Sequence, residues 1–191
     1  ADPALLHTCL GREGKVRENL IDDIAVAAEN FNGIQIDFES LMPDDAEAFS
    51  SFLADLKARL PEKILSVAVP ARLNGNGNGK KAYDYALLAG IVDRVFVMAY
   101  DQHWETSRPG PVASLSWCGG VAGYAVSAIP PDRLVMGIPL YGRAWQERKI
   151  NRAVTHRRAV ELARRSLNRR TEPVENGPCF EYEENVTVKV F

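Results

Sequence analysis

Between Gly33 and Glu39 the chain alternates without a break. Gly33, Gln35, Asp37 and Glu39 fall on one side, and Ile34, Ile36 and Phe38 fall on the other. This period of two predicts a strand over Ile34–Glu39. A different period precedes it. Leu20, Ile24, Ala27 and Phe31 recur at three- and four-residue spacing, predicting a helix over 15–31 that Asn32-Gly33 stops. Pro43-Asp44-Asp45 opens a second helix, with acids suited to its first turn and a stripe of Phe49, Phe52, Leu53, Leu56 and Leu60. Beyond it lie a valine-rich strand, Ile64–Pro70, a short helix over 83–92, and a third strand, Arg94–Asp101. A long loop with Pro109-Gly110-Pro111 leads to a helix around 118–128, closed by Pro130-Pro131. A fourth strand follows, Leu134–Tyr141, then a basic helix over about 153–167 and an alternation through Val186, Val188 and Val190.

Four near-apolar strands separated by single helices predict an α/β fold with a parallel sheet and right-handed crossovers. A doubly wound sheet and a (β/α) barrel both satisfy that order. The 191 residues suffice for one domain with a sizeable core. The Asn-Gly repeat at 74–79 stands too far ahead of its helix to cradle phosphate, and no Walker-type loop is present.

Composition narrows the function classes. The chain is 46% hydrophobic and 25% charged, with a formal net charge of −2. That balance gives no reason to invoke nucleic acid or an anionic membrane surface. No apolar run is long enough to span a membrane. Cys9, Cys118 and Cys179 are far apart and odd in number, which favours ordinary thiols over a metal or disulfide framework. No metal or other cofactor is expected. The opening Ala-Asp-Pro reads as a cloning remnant or a processed end.

The candidate chemistry sits at strand ends. Asp37 and Glu39 share a face, with Cβ atoms roughly 6–7 Å apart at two residues of strand rise. At that distance one carboxyl can hold its proton beside an ionised partner, as general-acid cleavage of a glycosidic bond requires. Taken alone, a glutamate such as Glu39 reads first as a solvated strand end; the polar run sharing its face and ending at the strand's C-terminal edge points to the site instead. Met98, Tyr100 and Asp101 close the third strand, and Tyr141 and Arg143 follow the fourth. Barrel enzymes place their chemistry at such C-terminal rims, although a core tyrosine with a capping aspartate gives the same letters.

Three motifs resemble glycoside hydrolase family 18, the chitinase-like family. Asn32-Gly-Ile-Gln35-Ile-Asp37-Phe-Glu39 is similar to its DxxDxDxE strand, Met98-Ala-Tyr100-Asp101 to its MxYD strand end, and Gly137-Ile-Pro-Leu-Tyr141-Gly-Arg143 to its GxPxYGR segment. Their order matches too. Met98 to Trp104, followed by Pro109-Gly-Pro-Val-Ala, most resembles the bacterial branch that includes spore-cortex-lytic N-acetylglucosaminidases. The resemblance implies substrate-assisted retaining hydrolysis of β-linked N-acetylglucosamine polymers, of peptidoglycan or chitin type. In it Glu39 is the general acid, Asp37 orients the substrate's acetamido group, and Tyr100 bonds that group. Gln35, Met98, Asp101, Tyr141 and Arg143 line the sugar cleft, and Trp104 and Trp145 stack on sugar rings or simply pack.

The sequence departs from the family pattern at Asn32 and Gln35, where the family has aspartates. An amide can hydrogen-bond Asp37 but cannot take a proton. By motif order the chain carries barrel strands four to seven. The resemblance thus implies a partial TIM (β/α)8 barrel over residues 1–149, with 150–191 in the small insertion between strands seven and eight. Open sheet edges would favour self-association, and little activity is expected from this stretch alone. The expected partner is a glycan, which by analogy favours an extracytoplasmic or cell-envelope location. A silent N-acetylglucosamine-binding, lectin-like protein is the alternative, and a purely structural piece of a larger protein is a third reading.

Overall fold

A computed structural model describes residues 2–11, 15–74, 82–146, 149–166, 168–170 and 177–182. Most of the Asn-Gly repeat and the valine alternation at 186–190 lie outside these residues. The chain forms two units: residues 1–99 with 120–137, and residues 100–119 with 138–191.

The first unit is built on four parallel strands, β1 (Gly33–Ile36), β2 (Ile64–Pro70), β3 (Arg94–Met98) and β4 (Leu134–Met136), in the order β1-β2-β3-β4. The register pairs Gln35 with Ser66, Ala68 with Phe96, and Phe96 with Val135. Strand order equal to chain order is the result expected when each crossover helix returns the chain to the next position. Helices α1 (Pro3–Leu10), α2 (Val16–Ala27), α3 (Ala46–Arg59) and α4 (Tyr85–Ile91) belong to this unit, as does the C-terminal part of α5 (Leu115–Ala128).

One sheet face carries the core. Ile36, Leu65, Val67, Val69, Val95 and Val97 are buried, as are Phe49, Phe52, Leu53 and Leu56 of α3. The helix stripe recurs at i, i+3, i+4 and i+7, so its four side chains meet the sheet together. The other face is sparsely covered. Gln35, Ile64 and Arg94 are exposed there, and a cavity of about 380 Å³ opens among Gln35, Ile64, Ser66, Arg94, Phe96 and Val135. Gly33 permits the β1–β2 pairing: a Cβ at that position would stand 2.3 Å from the Ile64 carbonyl oxygen.

Two polar knots tie the helices down. Arg17, buried on α2, bonds Asp55 and Ser51 of α3. Asp93 accepts from Lys57 Nζ at 2.7 Å and from the Leu65 backbone N–H at 2.8 Å, joining α3 to β2. Burial pulls the Asp93 carboxyl upward, but these bonds and the Lys57 charge outweigh it and hold the group below its ordinary value.

Several predicted elements change their bounds. The first strand stops at Ile36, three residues before Glu39. The third stops at Met98, and the fourth divides, because Leu134–Met136 pairs with β3 whereas Tyr141 starts a hairpin. Asp2-Pro3 opens α1, with Asp2 accepting from the N–H groups of Ala4 and Leu5. An Asp N-cap followed by Pro at N1 is a strong helix start, and the sequence reading passed over it.

In the second unit, β5 (Tyr141–Gln146) pairs antiparallel with β6 (Lys149–Thr155), and α6 (His156–Arg165) follows directly. Thr155 caps α6 by accepting from Arg158 N–H at 3.2 Å. A short pair, β7 (Asn168–Arg170) and β8 (Cys179–Glu181), completes the description.

Candidate active site

The predicted site residues divide between the units. Gln35, Asp37, Glu39 and Met98 belong to the first, and Tyr100, Asp101, Tyr141 and Arg143 to the second.

In the first unit the alternation outlives the strand. Gln35, Asp37 and Glu39 are exposed, while Ile36 is buried and Phe38 half-buried. Phe38 holds the acid-bearing loop. Its ring lies 5.6 Å from that of Phe52 and 6.1 Å from that of Phe49, centroid to centroid. Its carbonyl accepts a 2.6 Å hydrogen bond from the Tyr83 hydroxyl. That hydroxyl also accepts from Leu41 N–H at 3.4 Å, and the Tyr83 ring meets Phe49 edge-on. Burial, together with the negative charges of Glu39 and Asp37, raises the Tyr83 phenol above its ordinary value. Tyr83 therefore remains a donor at neutral pH. Next to Glu39, Ser40 has φ +66, in the left-handed region. One side chain points inward and its two acidic neighbours point outward, at the C-terminal end of a parallel strand. Gln35 lies 3.2 Å from the Ser66 hydroxyl, which donates to its Oε1. Sequence reasoning missed Tyr83 and Ser66, since neither falls in a motif and only the fold brings them to β1.

In the second unit three predicted residues meet. Asp101 Oδ1 accepts from Tyr141 Oη at 2.8 Å, from Arg143 Nη2 at 2.8 Å and from Arg143 Nε at 3.2 Å. Tyr100 and Tyr141 form an edge-to-face pair at 6.4 Å. Burial, and then the hydrogen bond to Asp101, push the Tyr141 phenol far above its ordinary value. Asp101 has φ +56. Among the described residues, Ser40 and Asp101 are the non-glycine positions with positive φ, and each directly follows a residue predicted to act on substrate. Such outliers persist where surrounding contacts over-determine them, and they cluster at functional sites.

The loop after Asp101 is tied at both ends. Gln102 N–H donates to Val112 O at 2.8 Å, and Ser114 N–H donates to Gln102 Oε1 at 2.8 Å. His103 Nδ1 donates to Pro111 O at 2.9 Å. Gly110 lets the ring in, since a Cβ there would meet it at 2.5 Å. Trp104 is 52% exposed on this loop, whereas the Trp145 indole nitrogen is buried.

Among the described residues no cluster of His, Cys, Asp and Glu could hold a metal ion, and no helix is long and apolar enough to cross a membrane. Cys9, Cys118 and Cys179 form no disulfide among the described residues.

Among the described residues the helices pack on one face of a parallel sheet, the arrangement of part of a (β/α) barrel. The family model for glycosyl hydrolases family 18 matches residues 10–184, and the chain belongs to that family. It is 33% identical over 188 residues to the cortical fragment-lytic enzyme of Bacillus cereus, covering 93% of this chain and 44% of that protein. The crystal structure of the Bacillus cereus spore cortex-lytic enzyme SleL superposes with a TM-score of 0.87 at 32% identity, over 96% of this chain and 44% of that one. The chitinase from Chromobacterium violaceum superposes with a TM-score of 0.77 at 26% identity, over 84% of this chain and 53% of that one. The four parallel strands are thus part of the family's TIM barrel, and the open sheet face is the side that a closed barrel encloses. The chain spans less than half the length of the cortical fragment-lytic enzyme it matches.

Proposed function

We propose that this chain supplies the acid-bearing part of a glycosidase that cleaves β-linked N-acetylglucosamine polymers with assistance from the substrate. One observation carries this reading. Phe38 and Tyr83 pin the loop after β1, so that Asp37 and Glu39 face away from the helix-packed core at a C-terminal strand end.

In the proposed reaction Glu39 gives its proton to the glycosidic oxygen as the anomeric C–O bond breaks. The carbonyl oxygen of the substrate's own acetamido group attacks the anomeric carbon, forming an oxazolinium ion. Asp37 accepts a hydrogen bond from the acetamido N–H and balances its growing positive charge. Water then opens the ring from the opposite face, and Glu39 takes the proton that water loses. Two inversions at one carbon retain the β configuration. Tyr100 donates to the acetamido oxygen. Gln35 holds its neighbours by hydrogen bonds without joining the proton cycle. Met98, Asp101, Tyr141 and Arg143 shape the sugar-binding wall, within the 1–149 barrel region and ahead of the 150–191 insertion.

A protein carrying these residues in a closed barrel should cleave N-acetylated chito-oligosaccharides, with the β-anomer appearing first by proton NMR. Equal cleavage of the N-deacetylated oligomer would overturn the substrate-assisted reading. Gln35, standing where a carboxylate would share protons, favours a second reading, that of binding without turnover. Saturable oligomer binding with no new reducing ends would select it.

A further inference from the structure

Much of the chain's basic charge lies in the second unit, and apart from Arg143 the site does not use it. Residues 143–170 hold ten of the chain's 23 lysines and arginines and only two acids, although the whole chain carries a net charge of −2. Nine of the ten are arginines. On α6, Arg157, Arg158, Arg164 and Arg165 fall within an arc of about 120° at 100° per residue, which the buried Leu162 borders on the Arg158 side. Arg157, Arg164, Arg165 and, on β6, Arg152 are exposed. A single acid, Glu161, lies among them and is shared by Arg157 at 3.4 Å and Arg158 at 3.5 Å. His156, Arg157 and Arg158 fill the first turn of α6, where the helix dipole disfavours cations. The exposed pairs with Glu161 return little stability, and a local rule broken for so small a gain points to a functional surface.

We infer that the arginine face of β6 and α6 binds carboxylates carried on a glycan, so that the polymer the protein engages is anionic, as peptidoglycan is, and not neutral chitin. The inference rests on the glycosidase reading above and narrows its substrate class. Arginine suits this partner, because its planar fork matches a carboxylate through two parallel hydrogen bonds where lysine offers a point charge. A row of guanidinium groups on an exposed helix can follow carboxylates spaced along an extended strand. Neutral N-acetylglucosamine polymers give these side chains no counter-charge.

The test is pelleting of the 191-residue chain with insoluble polymers. Three are compared: peptidoglycan sacculi, the same sacculi with their carboxyls amidated, and chitin. The combined variant Arg157→Gln, Arg164→Gln, Arg165→Gln is run in parallel, with its fold checked by circular dichroism. Expected are at least tenfold tighter binding to native sacculi than to amidated sacculi or chitin, a tenfold loss in the variant, and weakening with added salt. Equal binding to native and amidated sacculi by the unaltered chain overturns the proposal whatever the variant does. Equally tight binding to a 20-base-pair DNA duplex also overturns it, since the surface would then read charge alone. Glu39→Gln separates the two levels: it should abolish cleavage in a closed barrel while leaving this binding unchanged. Carboxylate-dependent binding by a closed-barrel protein that cleaves nothing would therefore sink the glycosidase reading and keep the binding surface.

Discussion

Arg143 Nη2 stands 2.8 Å from Asp101 Oδ1, and the Tyr141 hydroxyl reaches the same oxygen at 2.8 Å. The contact fastens β5 to a residue whose backbone is held in the left-handed region. Arg143 is mostly buried while Asp101 is partly open to water, so solvent screening limits the pair's value. Arg143→Ala should lower stability by about 1 kcal/mol, read by urea unfolding. Arg143→Lys should recover less than half of that, because one ammonium cannot replace the Nε and Nη2 contacts. Full recovery by lysine would mean that charge alone matters.

Tyr83 is expected to be the main fastener of the acid loop. Tyr83→Phe keeps the ring on Phe49 but removes the bonds to Phe38 O and Leu41 N–H. The expected cost is about 1–2 kcal/mol, seen as a Tm lower by roughly 2–4 °C per kcal/mol at this size. Hydrogen exchange at residues 37–41 should accelerate as well. Unchanged exchange there would show that Phe38 packing suffices.

Ser40 adopts a backbone that favours glycine. Ser40→Gly relieves a left-handed cost of about 1–2 kcal/mol against an unfolded-state entropy loss of about 0.5–1 kcal/mol. A small net gain in thermal stability is predicted. A clear destabilisation would show that the Ser40 side chain contributes contacts of its own.

How much of this was readable beforehand follows from what each pattern depends on. The parallel order of strands and the helix stripe of Phe49, Phe52, Leu53 and Leu56 were legible, because burial on one face imposes its period on the residues themselves. The strand's end at Ile36 was not. Alternation continues through Phe38 because the side chain still packs, while backbone pairing with β2 has already stopped. The split of Leu134–Tyr141 was hidden for the same reason: an apolar run does not record which partner each residue pairs with. Asp101, Tyr141 and Arg143 were legible as motif letters, but their convergence on one oxygen needed the fold. Tyr83 had no signal, as an aromatic opening the helix predicted over 83–92 reads simply as core, whereas that helix starts at Tyr85.

Asp93 gives the acid limb of stability a defined origin. Its carboxyl is held below the ordinary value in the folded state by Lys57 and the Leu65 N–H, against the opposing pull of burial. The contribution is therefore complete above the unfolded carboxylate value, about 3.9, and is lost as pH falls through the lower folded value. Denaturant unfolding at pH 7, 4 and 3 should show this decline in the parent, and Asp93→Asn should flatten it. An identical acid limb in the variant would move the origin to other carboxylates.

The role of Glu39 is tested most directly by release of reducing ends from a β-linked N-acetylglucosamine oligomer, comparing Glu39 with Glu39→Gln in a closed-barrel protein. The variant keeps the size and hydrogen-bonding of the side chain and removes only the transferable proton. The predicted result is a fall in kcat of about 10²–10⁴-fold with oligomer binding retained. Cleavage by the variant within a few-fold of the parent would contradict the assignment of Glu39 as the general acid.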